Sequence, residues 1–125
     1  MTPPRVSVVM PVRNAAATVE QAARSILEST LREIELIVID DGSTDDSAEV
    51  TRQISDPRLR LVRQEALGVC AAANRGTAEA ASPVIARMDA DDVSHPTRLE
   101  KQLSLLHDSG ADMVGCRVRI IDALG

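Results

Sequence analysis

The chain has 125 residues, which is enough for one domain whose hydrophobic core needs no disulfide or metal to hold it together. Apolar residues make up 44% of it, as in an ordinary globular protein, and the formal net charge of −5 argues against nucleic-acid binding, which needs a basic surface. Phe, Tyr and Trp are all absent, so no aromatic side chain of this chain can stack on a base or a sugar ring.

Strands are predicted to alternate with helices, because short β-branched runs are separated by segments with apolar residues at helical spacing. In chain order, the predicted elements are a strand over 6–10 closed by Pro11, a helix over 17–28, a strand over 35–39, a helix ending near 54, an alternating edge strand over 58–62, a helix over 69–81, a strand after 83, a helix over 97–108 and a fifth strand over 112–116 with a continuation over 118–121. Thr18 is a predicted cap of the first helix, and Ser43 with Asp46 has the spacing of a capping box for the second. This alternation implies a mainly parallel α/β sheet.

The sequence also bears on cellular location and redox state. The N-terminal residues lack the apolar run of a signal peptide, and no window reaches the roughly 18 apolar residues that a membrane span needs. We therefore expect a cytoplasmic protein, with peripheral attachment to the inner face of a membrane left open. Cys70 and Cys116 have no metal-type spacing, so both are predicted to be reduced and to lie in or near the core.

Two of the apolar strands end in acidic residues. The strand that ends at Ile39 runs into Asp40 and Asp41, and the strand that ends at Met88 runs into the carboxylates of Asp89, Asp91 and Asp92. Ligands of parallel sheets bind outside the carboxyl ends of the strands. We therefore expect a single acidic site that is built from both strand ends.

The second acidic cluster has the chemistry of a cation site. Asp89 and Asp91 are two residues apart, so their side chains fall on the same side of an extended chain. Clustered carboxylates repel unless a cation holds them, and oxygen ligands suit Mg²⁺ or Mn²⁺. The sequence has neither the glycine pattern of dinucleotide-binding proteins nor a phosphate-binding loop, so phosphate is expected to be bound through the metal. The plainer alternatives are a turn with a helix cap at residues 40–43 and a solvated loop at residues 89–92.

Six segments of this sequence, in order and at matching spacing, resemble the family 2 glycosyltransferases, which are inverting enzymes of the GT-A fold that use nucleotide sugars. The segments are VVMPVRN (8–14), DDGSTD (40–45), Gly68 with ANRG (73–76), MDADD (88–92), PTRL (96–99) with Gln102, and DMVG (112–115). The resemblance covers nearly the whole chain and is strongest to bacterial members that build exopolysaccharide or lipopolysaccharide. It implies a GT-A (Rossmann-like) three-layer α/β/α domain with a mainly parallel sheet.

The resemblance also implies roles for individual residues. It implies a nucleotide site formed by Pro11, Val12, Arg13, Asn14, Asp40, Asp41, Asn74 and Asp89. It implies a site for Mn²⁺ or Mg²⁺ formed by Asp89, Asp91 and Asp92, with residues 89–91 as the family's D-x-D motif. Asp41 would accept a hydrogen bond from the uracil of a UDP-sugar, and the D-x-D carboxylates would touch the ribose and, through the metal, the diphosphate. Asn14 and Asn74 are equally well explained by hydrogen bonds to the backbone.

The implied reaction transfers a sugar from a nucleotide diphosphate sugar to a hydroxyl of a glycan or lipid-linked acceptor, with inversion in a single displacement. Three features depart from the family pattern. Arg13 stands in place of an aromatic residue, Ala73 stands in place of an arginine, and the general base is expected beyond Gly125. Residues 1–125 are therefore expected to be the nucleotide-binding part of a larger enzyme, truncated before its acceptor half and prone to self-association through an exposed sheet edge.

Two other interpretations stay open. One is a nucleotide-binding module that does not turn over its ligand. The other is a sugar-phosphate nucleotidyltransferase, which shares the sheet and the metal-binding carboxylates. That class would ordinarily carry a glycine-rich loop after the first strand, where this chain has residues 11–14 without a glycine.

Overall fold

The computed structural model describes residues 2–125, and within that range the chain forms four strands and four helices. In chain order these are β1 (Val6–Val12), α1 (Val19–Leu27), β2 (Ile34–Asp41), α2 (Ser47–Arg52), β3 (Leu59–Gln64), α3 (Val69–Glu79), β4 (Ile85–Arg87) and α4 (Arg98–Ser109). All four strands are parallel and lie in one sheet in the order β3-β2-β1-β4. The predicted α/β alternation and the edge position of β3 are confirmed. None of the helices in the described range is long and apolar enough to cross a lipid bilayer.

The order of the strands reverses at β1. The chain adds β2 and β3 on one side of β1 and then crosses over to place β4 on the other side. β1 pairs with β2 along its whole length. It pairs with β4 over three residues only, from Ser7 opposite Ile85 to Val9 opposite Arg87. The carboxyl ends of β1 and β4 therefore flank a topological switch point, which is where such sheets bind ligands.

Helices cover both faces of the sheet, because successive strand residues point to opposite faces. The main core packs one face of β1 and β2 against α1 and α4, and it includes the helical residues Val19, Ala22, Ala23, Ile26, Leu27, Leu99 and Leu103. On the other face, Ile37 and Ile39 pack against Ala72 of α3. A Cβ atom on Gly76 of α3 would overlap the side chain of Val9, so glycine allows this helix to lie close to the sheet. The predicted three-layer arrangement is confirmed, and the apolar residues that recur at helical spacing in α1 form its buried face.

The structure places Pro11 and Val12 inside β1, whereas the sequence predicts a loop from Pro11 onward. The backbone N–H of Ser7 and the backbone carbonyl of Val9 form hydrogen bonds on the side of β1 that faces β4. Backbone groups of every second residue in a strand point to the same side, so the backbone nitrogen of Pro11 also faces β4. β4 ends at Arg87, opposite Val9. The sheet therefore needs no hydrogen bond from the backbone nitrogen of Pro11, and proline is tolerated there.

The predicted capping box at Ser43 and Asp46 is wrong, and α2 begins at Ser47. The Ser43 hydroxyl accepts a hydrogen bond from the backbone N–H of Asn14 at 3.0 Å, so it is bound to a different loop. The N–H of Ser47 is bonded instead by Asp45 Oδ1 at 2.9 Å. Thr18 precedes α1 but makes no side-chain cap bond to it.

The predicted fifth strand is wrong, because residues 111–125 form neither helix nor strand. Apolar side chains in this segment are exposed, with Met113 at 87% and Ile120 at 95%. A strand needs a partner beside it, and no strand in the described residues pairs with this segment. Cys116 in this segment and Cys70 on α3 are both free, as predicted, but they are exposed and not near the core. Self-association through the exposed sheet edge stays a prediction.

Candidate functional site

A cavity of about 570 Å³ opens at the carboxyl edge of the sheet, beside the ends of β1 and β4. Its volume is in the range of small-molecule sites, roughly 300 to 1,000 Å³. The end of β1, the loop after it, the loop after β2 and the turn after β4 line the cavity with Pro11, Arg13, Asn14, Ala15, Ala16, Ala17, Thr18, Asp45, Asp89, Ala90 and Asp91. Of the residues predicted from the sequence, the cavity brings together Pro11, Arg13, Asn14, Asp89 and Asp91.

The carboxylates of Asp89, Asp91 and Asp92 form a cluster at this cavity. Each offers an oxygen atom, these atoms lie within 4.8 Å of one another, and all three residues are exposed. The sequence predicts that an extended chain brings Asp89 and Asp91 to one side, but β4 already ends at Arg87. A turn gathers them instead, in which the N–H of Asp92 donates to the carbonyl of Asp89 at 3.2 Å.

The electrostatics of this cluster favour a cation. Partial burial raises the pKa of Asp92, the negative charges of Asp89 and Asp91 raise it further, and Arg98 acts in the opposite direction. Carboxylate oxygens are the ligands that Mg²⁺ and Mn²⁺ prefer, and the adjoining cavity leaves room for a ligand of the metal. The residues present therefore fit a divalent cation.

Asn14 fixes the loop that forms one wall of the cavity. Its side-chain Oδ1 accepts hydrogen bonds from the N–H of Thr44 at 2.8 Å and of Asp45 at 3.3 Å. Its own N–H donates to Ser43 Oγ at 3.0 Å, and its φ of +50° is left-handed, which asparagine tolerates better than most residues. The backbone-bonding explanation of Asn14 is therefore observed, and its side chain also lines the cavity.

Asp45 also lines the cavity, although no sequence pattern assigns it a role there. Its Oδ2 accepts a hydrogen bond from the N–H of Ala16 at 3.1 Å, and its Oδ1 accepts from the hydroxyl of Ser47 at 2.5 Å. The bond from the Ser47 side chain is the main cause that lowers the pKa of Asp45. The Ser47 hydroxyl in turn accepts from the N–H of Ala15 at 2.8 Å. No local pattern predicts this contact, because the bonded residues lie about thirty positions apart.

Asp41 is 3% exposed, and its carboxylate accepts hydrogen bonds from the last residue of β3 and from the segment that follows β3. Its Oδ1 accepts from Gln64 Nε2 and from the N–H of Leu67, both at 2.8 Å, and its Oδ2 accepts from the N–H of Gly68 at 2.9 Å. The hydrogen bond from Gln64 lowers the pKa of Asp41 most, followed by that from Leu67, while burial opposes them. Gly42, at a φ of +68°, lets the loop after β2 contact the segment after β3, since a Cβ there would lie 2.7 Å from the backbone N of Ala66.

Asp40 and Asp41 do not line the cavity and are not part of the carboxylate cluster, so a single acidic site built from both strand ends stays a prediction. Asp40 is 1% exposed, and its carboxylate accepts from Arg63 Nε at 2.9 Å and from the N–H of Ser43 at 3.1 Å. β1 lies between β2 and β4 in the sheet. The ends of β2 and β4 are therefore separated by two strand spacings, roughly 10 Å.

Two further predicted nucleotide contacts lie away from the cavity lining. Val12 is 2% exposed and packs in the main core, so its side chain points away from solvent. Asn74 is exposed on α3. Neither side chain lines the cavity.

Comparisons with known proteins agree with this geometry. A protein-family model described as "Glycosyl transferase family 2" matches residues 7–124. The chain is 41% identical over 124 residues to the succinoglycan biosynthesis protein ExoU of Rhizobium meliloti (strain 1021), a match that covers 97% of this chain and 35% of ExoU.

Two solved structures are similar to this chain. The mannosyltransferase PcManGT from Pyrobaculum calidifontis, in complex with GDP-Man and Mn²⁺, matches with a TM-score of 0.75 and 29% identity, over 85% of this chain and 33% of that one. TarS 1–349 of S. aureus matches with a TM-score of 0.79 and 20% identity, over 94% of this chain and 38% of that one, which shows a shared fold. The chain thus spans about a third of the length of the relatives it matches.

Proposed function

The chain belongs to glycosyl transferase family 2 and has the GT-A fold of its structural neighbours, and from this premise we propose that it forms the nucleotide-sugar-binding part of a metal-dependent glycosyltransferase. One observation carries the proposal: three clustered carboxylates adjoin a cavity of about 570 Å³ at the switch point of a parallel sheet. A charged, metal-associated ligand such as a nucleotide diphosphate fits such a site.

We assign Mn²⁺ or Mg²⁺ to the carboxylates of Asp89, Asp91 and Asp92. All the offered ligand atoms are oxygens, which both ions prefer. PcManGT is in complex with Mn²⁺, and this supports the assignment. When bound, the cation supplies positive charge that stabilises the departing nucleoside diphosphate.

We assign direct donor contacts to the predicted residues that line the cavity, which are Pro11, Arg13, Asn14 and Asp89. The exposed guanidinium of Arg13 can pair with phosphate or lie on the base, which matters in a chain without aromatic side chains. The direct contacts predicted for the remaining nucleotide residues stay predictions, because their side chains do not line the cavity: Val12, Asp40, Asp41 and Asn74.

We propose that the longer protein transfers the sugar with inversion to a hydroxyl of a glycan or lipid-linked acceptor, at the cytoplasmic face of a membrane. The similarity to ExoU, a succinoglycan biosynthesis protein, supports a role in cell-surface polysaccharide synthesis. We assign the general base and the acceptor site to none of residues 1–125, and propose that this part binds the donor without turnover. The family assignment favours this function over a sugar-phosphate nucleotidyltransferase.

Calorimetric titration of UDP and of GDP, each with Mn²⁺ and with EDTA, tests the donor site. We expect Mn²⁺-dependent binding of one nucleotide. We expect Asp91→Asn to weaken it by at least about tenfold, because metal affinity depends on the number of charged ligands. Asp112→Asn is the matched control, since it removes the same charge from an exposed aspartate outside the cavity. Binding that is equal with and without Mn²⁺, or equal in Asp91→Asn and wild type, would contradict the proposal.

A further inference from the structure

The acidic cluster sits on a segment that has no regular structure of its own. Residues 88–97 connect β4 to α4 and contain neither helix nor strand. Within residues 2–125, no hydrogen bond or ion pair reaches the carboxylates of Asp89, Asp91 and Asp92, so these side chains do not fix the segment. Whatever holds the three carboxylates in place must act on the backbone around them.

Arg98, the first residue of α4, reaches both ends of this segment. Its Nη2 donates to the carbonyl of Arg87, the last residue of β4, at 2.9 Å. Its Nη1 lies 3.4 Å from Met88 Sδ and 3.5 Å from Ser94 Oγ. Its Nε donates to Gln102 Oε1, one turn further along α4, at 3.0 Å, which holds the guanidinium in this orientation.

The far end of the segment has anchors that do not involve Arg98. The N–H of Ser94 donates to Ser25 Oγ at 3.0 Å, and the carbonyl of Pro96 accepts from the N–H of Thr30 at 2.9 Å. α4 itself is packed through Leu99 and Leu103, which belong to the main core. Loss of the Arg98 side chain should therefore leave α4 in place and loosen the part of the segment nearest to β4.

We propose that Arg98 is a positioning residue for the metal site: its guanidinium joins the end of β4 to the start of α4 and so keeps the Asp89, Asp91 and Asp92 carboxylates close enough to share one cation. Its positive charge beside the cluster also offsets part of the repulsion among the three carboxylates. A planar guanidinium is suited to this task because it presents several donors in a fixed fork, whereas lysine presents one point charge. This role rests on the proposed metal site.

Mn²⁺ affinity tests this role without any measurement of turnover. Free Mn²⁺ is followed by electron paramagnetic resonance during titration of wild type, Arg98→Met, Arg98→Lys and Lys101→Met, with and without UDP and GDP. We expect Arg98→Met to weaken Mn²⁺ binding by about 10- to 100-fold, as is usual for groups that orient metal ligands. Arg98→Lys should lie between that variant and wild type, because it keeps the charge and loses the fork.

The control is Lys101→Met, which removes the same charge from an exposed position of α4, and it should bind Mn²⁺ as wild type does. Thermal unfolding in EDTA checks that each variant is folded; if Arg98→Met is not, Arg98→Lys decides. If the folded Arg98 variants bind Mn²⁺ with wild-type affinity, the role of Arg98 is overturned while the proposed metal site stands. Absence of Mn²⁺ binding to the wild type under all conditions would overturn the proposed metal site and the role of Arg98 with it.

Discussion

Two groups of aspartates at the carboxyl edge of the sheet differ in how their charge is compensated. The carboxylate of Asp41 is buried and accepts three hydrogen bonds from the protein, which lower its pKa. Asp89, Asp91 and Asp92 are exposed and have one another as close charged neighbours. A carboxylate whose charge is compensated by hydrogen bonds within the protein stabilises the fold, whereas a cluster of like charges is stabilised by a bound cation. Mutations should therefore separate the contribution of Asp41 to stability from the proposed role of Asp91 in binding a cation.

Asp41→Asn tests the structural role, and we expect it to lower the free energy of unfolding at neutral pH by about 1 to 3 kcal/mol. The amide keeps one acceptor oxygen, so at least one of the donors from Gln64, Leu67 and Gly68 is left poorly bonded. Folding lowers the pKa of Asp41 from its ordinary value of 3.8. The ionised carboxylate therefore contributes its full stabilisation above pH 3.8, and this stabilisation is lost as the pH falls through the folded-state pKa.

The melting temperatures of wild type and Asp41→Asn, measured by circular dichroism from pH 7 to pH 3, provide the test. The gap between them should be widest near neutral pH and should narrow in the acid range. A gap that stays constant across this range would show that the charge of Asp41 contributes nothing.

At the scale of elements, the loop between β1 and α1 takes its shape from a segment that is distant in sequence. Three consecutive backbone N–H groups, at Asn14, Ala15 and Ala16, donate to side chains of residues 43–47. In return, Asn14 Oδ1 accepts from backbone N–H groups of that segment. The two loops are therefore one unit, and the wall of the cavity depends on both.

Substitutions at Asn14 separate the hydrogen bonds of this unit from its backbone strain. Asn14→Gly and Asn14→Ala both remove the side-chain amide, but only glycine adopts the observed φ of +50° without cost. The left-handed conformation costs other residues roughly 1 to 2 kcal/mol, so Asn14→Ala should be less stable than Asn14→Gly by about 1 kcal/mol in urea unfolding.

Ala17 in the same loop provides the control, because its φ is not left-handed. There Ala17→Gly should lower stability, since glycine raises the entropy of the unfolded chain. Equal stability of Asn14→Ala and Asn14→Gly would contradict the proposed strain at Asn14.

For the whole molecule, the site depends on strand order, and this sets how much of it the sequence could predict. Local periodicity predicted the helix α1 and the acidic strand ends, because each depends on neighbours within a few residues. It did not predict that β1 separates Asp41 from Asp89, since strand order is set by contacts between distant segments. For the same reason, the β-prone segment after residue 111 forms no strand: its composition is suitable, but it has no partner strand in the described residues.

The proposed metal site is tested most directly by NMR of the ¹⁵N-labelled chain titrated with Mn²⁺, which broadens amide signals near the ion. We expect the signals of residues 89–92 to disappear first, followed by those of residues 13–17 across the cavity, and Mg²⁺ in excess should restore them. A second cavity, which includes Arg5 and His107, lies at the opposite end of β1, roughly 20 Å away. Its signals should persist. Broadening centred on that second cavity, or spread evenly over the surface carboxylates, would contradict a metal site at Asp89, Asp91 and Asp92.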